Sequence, residues 1–371
     1  MMLHNIKNKT YIIAEAGINH NGSLSIAKKL IKIAKDCGAD AIKFQTYKSN
    51  LLATPTAKKS EYQNEYNKEI SQLKMLKKYE LSKQDHEKLL EYSKKLKIDF
   101  ISTPFDIDSL QYLVSKLKLK TIKISSTDIT NIPFLLEAGS KSTNIIISSG
   151  MSSIDDVKVA LSSLSYANKY KDSIQKYRFN ILRHKNFYTR DHSQKYLSSK
   201  VILMHCTTAY PAPLNELNLN VIETYRNIFN ISIGYSDHSS DTITPIIAVS
   251  KGVSTIETHI TLDKKMLGPD HKASLNPSEF KKYVNNIRDS ETMLGNHIKT
   301  ITKSEKKNIS SARKSLVISN NIIKNDKITT DNLGIRRPGT GMHPIEFYKV
   351  IGKKVNKSLK ANHILKRSDI K

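Results

Sequence analysis

Glu15, Lys43, Lys123, His238 and His259 are side chains whose types could do chemistry together, and each stands at the end of a short apolar run. The runs read YIIAEAGINH, ADAIKFQT, IDFISTPF, TIKISSTD, TNIIISSGM, VILMHCTT, ISIGYSDH and STIETHI. A carboxylate such as Glu15 is a candidate base or hydroxyl acceptor. Lys43 and Lys123, with the hydroxyls of Thr103, Ser126, Ser148 and Ser236, make a cradle for a small anion bearing phosphate and carboxylate. Charge-assisted hydrogen bonds in such a cradle are about twice as strong as neutral ones. His238 and His259 end adjacent runs, so their imidazoles could converge on one divalent cation. Imidazole with oxygen ligands suits Mn, Fe, Co or Zn better than Ca. Each residue also has a plainer reading. Glu15 could be a structural ion-pair partner of Lys43, Ser148 an N-cap, and either histidine a hydrogen-bonded structural group.

These side chains can act together only if the elements carrying them end on one face. The runs are rich in Ile and Val and largely apolar without alternation, as suits parallel strands covered on both faces. Between them lie segments with helical spacing, such as SLSIAKKLIKIAKDCG, KQDHEKLLEYSKKLK, DDVKVALSSL and SEFKKYVNNIRDSETML. Ile26, Leu30, Ile33 and Ala34 share one helical face. Several segments open with Ser, Asp or Asn, whose side chains accept the unpaired backbone N–H groups of a first turn. The repeated strand–helix alternation over residues 1–295 predicts an eight-stranded β/α (TIM) barrel, with the active site at the C-terminal ends of its strands. A doubly wound sheet uses the same units, and pattern alone leaves it open.

The 371 residues exceed one barrel, which predicts a linker over 296–312 and a small, mostly β domain over 313–371. No apolar run approaches the roughly 20 residues that span a membrane. No apolar h-region precedes the first strand, so no secretory signal is expected. Two cysteines, Cys37 and Cys206, without a CxxC motif, argue against a disulfide scaffold or a cysteine zinc site and suit a reducing cytoplasm. Lys and Arg number 60 against 34 Asp and Glu, a net charge of +26. That excess is spread along the chain without a nucleic-acid-binding motif, so solvated lysines on helix faces are the expectation. A basic surface also draws anionic substrates toward a basic cleft. Two segments interrupt the barrel pattern. Tyr47 to Leu81 reads as a lid on the catalytic face. Residues 165–200 read as a basic, tyrosine-rich insertion.

The strings AEAGINHNGS, IKFQTY, FISTPF, IKISS, SSGMSS, HCTTAYPAP, IGYSDH, IETHITLDK and GPDHKASL resemble the sialic acid synthase family. Its members condense phosphoenolpyruvate with an N-acyl hexosamine to give nine-carbon 2-keto acids. The C-terminal piece resembles the antifreeze-like (SAF, β-clip) domain attached to that barrel. The likeness covers nearly the whole chain outside the insertion. It implies that Lys43, Thr103, Lys123, Ser126, Ser148 and Ser236 hold phosphoenolpyruvate. Thr208 stands where several relatives carry an Asn that contacts phosphate. Gln45, Tyr210 and Asp270 would contact the sugar, and Glu15 would serve in proton transfer at its reacting end. His238 and His259 would ligate a metal, manganese by the family's habit, with magnesium or cobalt as alternatives. Arg337 of RRPGTG, beside Arg336, would reach the N-acyl group from the partner subunit's C-terminal domain, which implies a homodimer with exchanged domains. HCTTAYPAP and GPDHKASL resemble the legionaminic and N-acetylneuraminic acid synthases more than the pseudaminic ones. The candidate sugars are therefore N-acetylmannosamine and 2,4-diacetamido-2,4,6-trideoxymannose. A pseudaminic acid synthase, or another phosphoenolpyruvate-dependent 3-deoxy-keto sugar acid synthase, is the alternative.

Overall fold

The computed structural model describes residues 9–59, 71–141 and 143–371. They fall into two compact units divided after Gly295. The first holds eight strands: β1 (Tyr11–Gly17), β2 (Ala41–Thr46), β3 (Asp99–Pro104), β4 (Thr121–Ile124), β5 (Asn144–Ser148), β6 (Val201–Cys206), β7 (Ser232–Asp237) and β8 (Thr255–His259). They form one sheet in the order β3-β2-β1-β8-β7-β6-β5-β4, with every pairing parallel. Pairing of β1 with β8 brings the two ends of the sequence pattern together, and β3 and β4 pack side by side to complete the ring. This is the expected barrel, not an open doubly wound sheet.

Both faces of the strands are buried, which is why the runs show no polar alternation. Tyr11, Ile13, Ala41, Ile101, Ile146, Ile202 and Met204 fill the inside of the ring. The intervening residues, among them Ile12, Ile42, Phe44, Ile145, Ile147 and Leu203, pack outward against the helices. Helices start where the side-chain caps were expected. Ser82 with Asp85 opens Lys83–Leu96, Ser153 with Asp156 opens Ile154–Lys169, and Asn276 with Glu279 opens Pro277–Leu294; each is a reciprocal capping box. One helix, Ile132–Gly139 after β4, carries no periodic signal. Its residues IPFLLEAG are apolar almost all round and buried on most sides, so no stripe marks it in the sequence.

The two interruptions acquire structure. Within Tyr47–Leu81, short helices span Ser49–Leu52 and Gln72–Tyr79, and Met75 and Tyr79 bury against Ile18 in the loop after β1. Residues 60–70 of that predicted lid lie outside the described residues. Of residues 165–200, the first five complete the helix Ile154–Lys169. The last ten form the helix Asp191–Lys200, which feeds directly into β6. Tyr166 and Phe187 pack with Leu136, so this stretch is anchored to the barrel's helical layer.

The second unit begins with the helix Lys303–Ala312, capped by Thr302 and Glu305 and exposed along its length. β9 (Ser315–Ile318) pairs antiparallel with β10 (Leu333–Arg336), and isolated bridges such as Val317 with Ile364 and Ile322 with Leu359 extend the pattern. Leu316, Ile318, Ile328, Leu333, Val355 and Leu365 form its small core. No helix among the described residues is long and apolar enough to cross a membrane.

Candidate active site

Side chains in a strand repeat every two residues, so the residues that fill the ring determine which ones reach its mouth. Ile13 leads to Glu15, Ala41 to Lys43 and Gln45, Ile101 to Thr103, and Ile146 to Ser148. On β7 and β8 the same parity delivers Ser236, Glu257 and His259. Register then sets neighbours side by side: Glu15 opposite both Lys43 and His259, Gln45 opposite Thr103, and Ser236 opposite Glu257. The outcome is a single cavity at the C-terminal ends of the strands. Glu15, Lys43, Gln45, Thr103, Lys123, Ser126, Ser148, Thr208, Tyr210, Ser236, His238, His259 and Asp270 all line it. Arg337 belongs to the second unit, where it is exposed, while the Arg336 guanidinium bonds the Asn362 side chain.

Four buried charges of alternating sign run across the cavity floor. Lys43 Nζ lies 2.7 Å from Glu15 Oε2 and 3.7 Å from Glu257 Oε1, and Lys123 Nζ lies 3.3 Å from the same Glu257 oxygen. Lys43 also reaches Thr103 Oγ1 at 3.2 Å, and Ser236 Oγ donates to Glu257 Oε1 at 3.0 Å. The plainer reading of Glu15 as an ion-pair partner of Lys43 is thus physically present, alongside its place in the cavity. Burial pushes the Glu15 carboxyl up, and Lys43 offsets only part of that. Burial acts on Glu257 in the same direction, but Lys123 and Lys43 outweigh it and bring its carboxyl down to about 2. The two ammonium groups diverge likewise. Burial opposes the charge on Lys43, yet Glu15 and Glu257 hold it above the usual lysine value. Lys123 is lowered by burial, which Glu257 only partly counters.

Glu257 is the site residue that sequence reasoning left without a role. Its signal was present, because it precedes His259 by two residues and therefore shares its face. Only the fold shows that it bridges two lysines from β2 and β4. His205, another strand-end residue, turns away, since Cys206 holds the inward parity. Its Nε2 bonds the Leu217 carbonyl at 2.7 Å instead.

The anion cradle is shaped by a close backbone approach. A Cβ on Gly150 would sit 2.0 Å from Thr208 Oγ1 and 2.9 Å from Ser126 Oγ, so only glycine fits there. Its N–H donates to Ser126 Oγ at 2.9 Å. Ser148 is not an N-cap, because Ser153 caps the following helix. Ser148 Oγ, Thr208 Oγ1, Glu257 Oε2, His259 Nδ1 and Asp270 Oδ1 are all buried without a hydrogen-bond partner. Buried polar atoms are paired in the great majority of cases, so five orphans in one cavity mark groups left for a ligand. Asp270 lines the same cavity as Glu15, and burial, then the Glu15 charge, push its carboxyl up to about 7.

The imidazoles fit a cation. His238 Nδ1 lies 2.8 Å from the Thr207 carbonyl, which assigns its proton there and leaves the Nε2 lone pair on the cavity side, 3.4 Å from Ser236 Oγ. The His238 and His259 rings are 5.6 Å apart, centre to centre, and Tyr210 lies 4.3 Å from the His238 ring. Burial first, then the neighbouring imidazole, pushes His259 down to about 3, keeping it in the neutral form that ligates metals. Among the described residues no group of three or more His, Cys, Asp or Glu side chains gathers for a metal. His238 and His259 are the two imidazoles in the cavity that could serve as ligands.

Comparison with known proteins identifies the family. Residues 30–299 match the NeuB family and residues 313–371 the SAF domain. The chain belongs to the NeuB family. This NeuB-family chain is 40% identical over 359 residues to an N,N'-diacetyllegionaminic acid synthase of Campylobacter jejuni, covering 96% of itself and 99% of that protein. It is 39% identical to the enzyme of the same name from Legionella pneumophila, over 96% and 93% of the two chains. Among solved structures, it resembles the N-acetylneuraminic acid synthetase of Leptospira borgpetersenii crystallised with citrate. That match has a TM-score of 0.66 and 32% identity, covering 83% of this chain and 94% of that one.

Proposed function

We propose that this protein condenses phosphoenolpyruvate with an N-acyl hexosamine to give a nine-carbon 2-keto sugar acid and phosphate. The observation that carries the reading is the buried row Glu15–Lys43–Glu257–Lys123 beside two imidazoles and the unpartnered hydroxyls of Ser148 and Thr208 in one cavity. In the proposed binding mode, Lys43, Lys123 and the hydroxyls of Thr103, Ser126, Ser148 and Ser236 balance the carboxylate and phosphate. Carbon 3 of phosphoenolpyruvate attacks the aldehyde carbon of the open-chain sugar. Glu15 serves in proton transfer at the aldehyde oxygen as that oxygen becomes a hydroxyl. Water adds at carbon 2, one of its protons replacing the one delivered to the aldehyde oxygen and the other leaving with phosphate, as the tetrahedral centre collapses by C–O cleavage to the keto group. Gln45, Tyr210 and Asp270 orient the sugar. His238 and His259 would hold a divalent cation, manganese first among the candidates, and such an ion polarises an aldehyde oxygen and templates two substrates. A cytoplasmic setting fits the two buried, unpaired thiols.

Two relatives near 40% identity, both named for N,N'-diacetyllegionaminic acid, favour 2,4-diacetamido-2,4,6-trideoxymannose over N-acetylmannosamine as the sugar. Mass spectrometry tests both claims. The enzyme is given Mn²⁺, each sugar in turn, and phosphoenolpyruvate labelled with ¹⁸O at the bridging position. The expected product is the diacetamido acid, with the label carried off in phosphate. No product from any N-acyl hexosamine, or label retained in the keto acid, would overturn the proposal.

The exposed Arg337 is assigned to the N-acyl group of the sugar held by the partner subunit, within a homodimer whose C-terminal domains are exchanged. Support comes from chemistry, since a guanidinium donates well to an amide oxygen, and from Arg336 being engaged within its own domain. Mixing inactive Glu15→Gln subunits with inactive Arg337→Ala subunits is expected to restore activity, because a mixed dimer contains one intact composite site. If subunit exchange is verified and no activity returns, the arginine does not act across the dimer.

A further inference from the structure

We infer that Asn19, in the loop after β1, is a positioning residue that sets Asp270 through Ser274 and so controls sugar binding; this rests on the placement of Asp270 at the sugar. Residues 262–274 leave the end of β8 and return to it. Thr261 N donates to the Leu275 carbonyl and Leu275 N to the His259 carbonyl, each at 2.9 Å, so the excursion closes on the metal-site strand. Within it, Asp270 is buried and its Oδ1 has no partner. Such an excursion has no helix or strand to hold its middle. A carboxylate at its crest needs another anchor to stay within the fraction of an ångström that substrate orientation demands.

Asn19 supplies one. Its Nδ2 donates to Ser274 Oγ at 2.8 Å and to the Ile260 carbonyl at 2.9 Å, spending both of its N–H bonds on the two ends of the excursion. Ser274 Oγ in turn donates to the Asp270 carbonyl at 2.6 Å. Asn19 and Ser274 are fully buried, so no water competes for these bonds. A second tie acts in parallel. Asn21 Nδ2 donates to the Leu267 carbonyl at 3.0 Å, and Asn21 Oδ1 lies 3.2 Å from His271 Nε2, whose other ring nitrogen meets Thr261 Oγ1 at 2.6 Å. The string AEAGINHNG thus does two jobs: Glu15 enters the cavity, and the asparagines behind it hold the far wall. No atom of Asn19 lines the cavity, so the residue acts through Asp270.

The test is a double-mutant cycle on the full-length enzyme, read as KM for sugar against KM for phosphoenolpyruvate. Asp270→Asn is expected to raise the sugar KM roughly 10–100-fold, the scale of losing a hydrogen bond to a charged group. Asn19→Ala is expected to raise it by about 10-fold while the phosphoenolpyruvate KM stays within about two-fold. The double variant should be no worse than Asp270→Asn alone, because coupled residues are non-additive. Ser274→Ala cuts the same path one atom later and decides the matter if Asn19→Ala does not fold. An unchanged sugar KM in Asp270→Asn would overturn the placement of Asp270 and this inference together. A sugar KM impaired in Asp270→Asn but normal in the Asn19 or Ser274 variants, or a fully additive double variant, would overturn the inference alone.

Discussion

Chelation of divalent cations is expected to reduce turnover to background, and Mn²⁺ is expected to restore it, as the proposed metal site requires. The two imidazoles face one buried cavity with their ring centres 5.6 Å apart, so each would supply a large part of the protein's share of the proposed shell. His238→Ala and His259→Ala should therefore each cost metal affinity well beyond the roughly 10–100-fold seen when only outer-shell partners are changed. The direct readout is metal content of the dialysed variants by elemental analysis, which does not depend on catalysis. A variant that purifies with stoichiometric metal would remove that histidine from the shell, and full activity of a verified metal-free enzyme would sink the site altogether.

Glu15→Gln is expected to lower kcat by roughly 100-fold or more, the upper scale of a positioned acid–base group. The 2.7 Å pair with Lys43 offers a competing account, in which Glu15 merely keeps the lysine charged and in place. The two accounts part in the kinetics. Lys43 retains Glu257 at 3.7 Å after the substitution, so its ammonium keeps a carboxylate neighbour and its hold on phosphoenolpyruvate should change little. Loss in kcat with a near-constant phosphoenolpyruvate KM identifies an interaction made in the transition state, whereas a raised KM with normal kcat identifies lost uniform binding. The second pattern would reduce Glu15 to a counter-ion.

Much of this protein was written locally. Each barrel strand is a short Ile- and Val-rich run because parallel strands must bury both faces, and period two within a strand carries Ile13 to Glu15 and Ile101 to Thr103. Those relations lie within a few residues, so the sequence by itself determined the strands, their mouth-facing side chains and the capped helices between them. The family likeness drew on the same strand-end strings. The tertiary structure decided what depends on distant residues. Pairing of β1 with β8 chose a closed ring over an open sheet, a choice identical local units cannot make. The helix Ile132–Gly139 was hidden because burial on nearly every side erases periodicity. Glu257 became a bridge between Lys43 and Lys123 only when β2, β4 and β8 met around the ring. Asn19 reached Ser274 across 255 residues of chain, a contact no local pattern encodes, because it exists only after the barrel has closed.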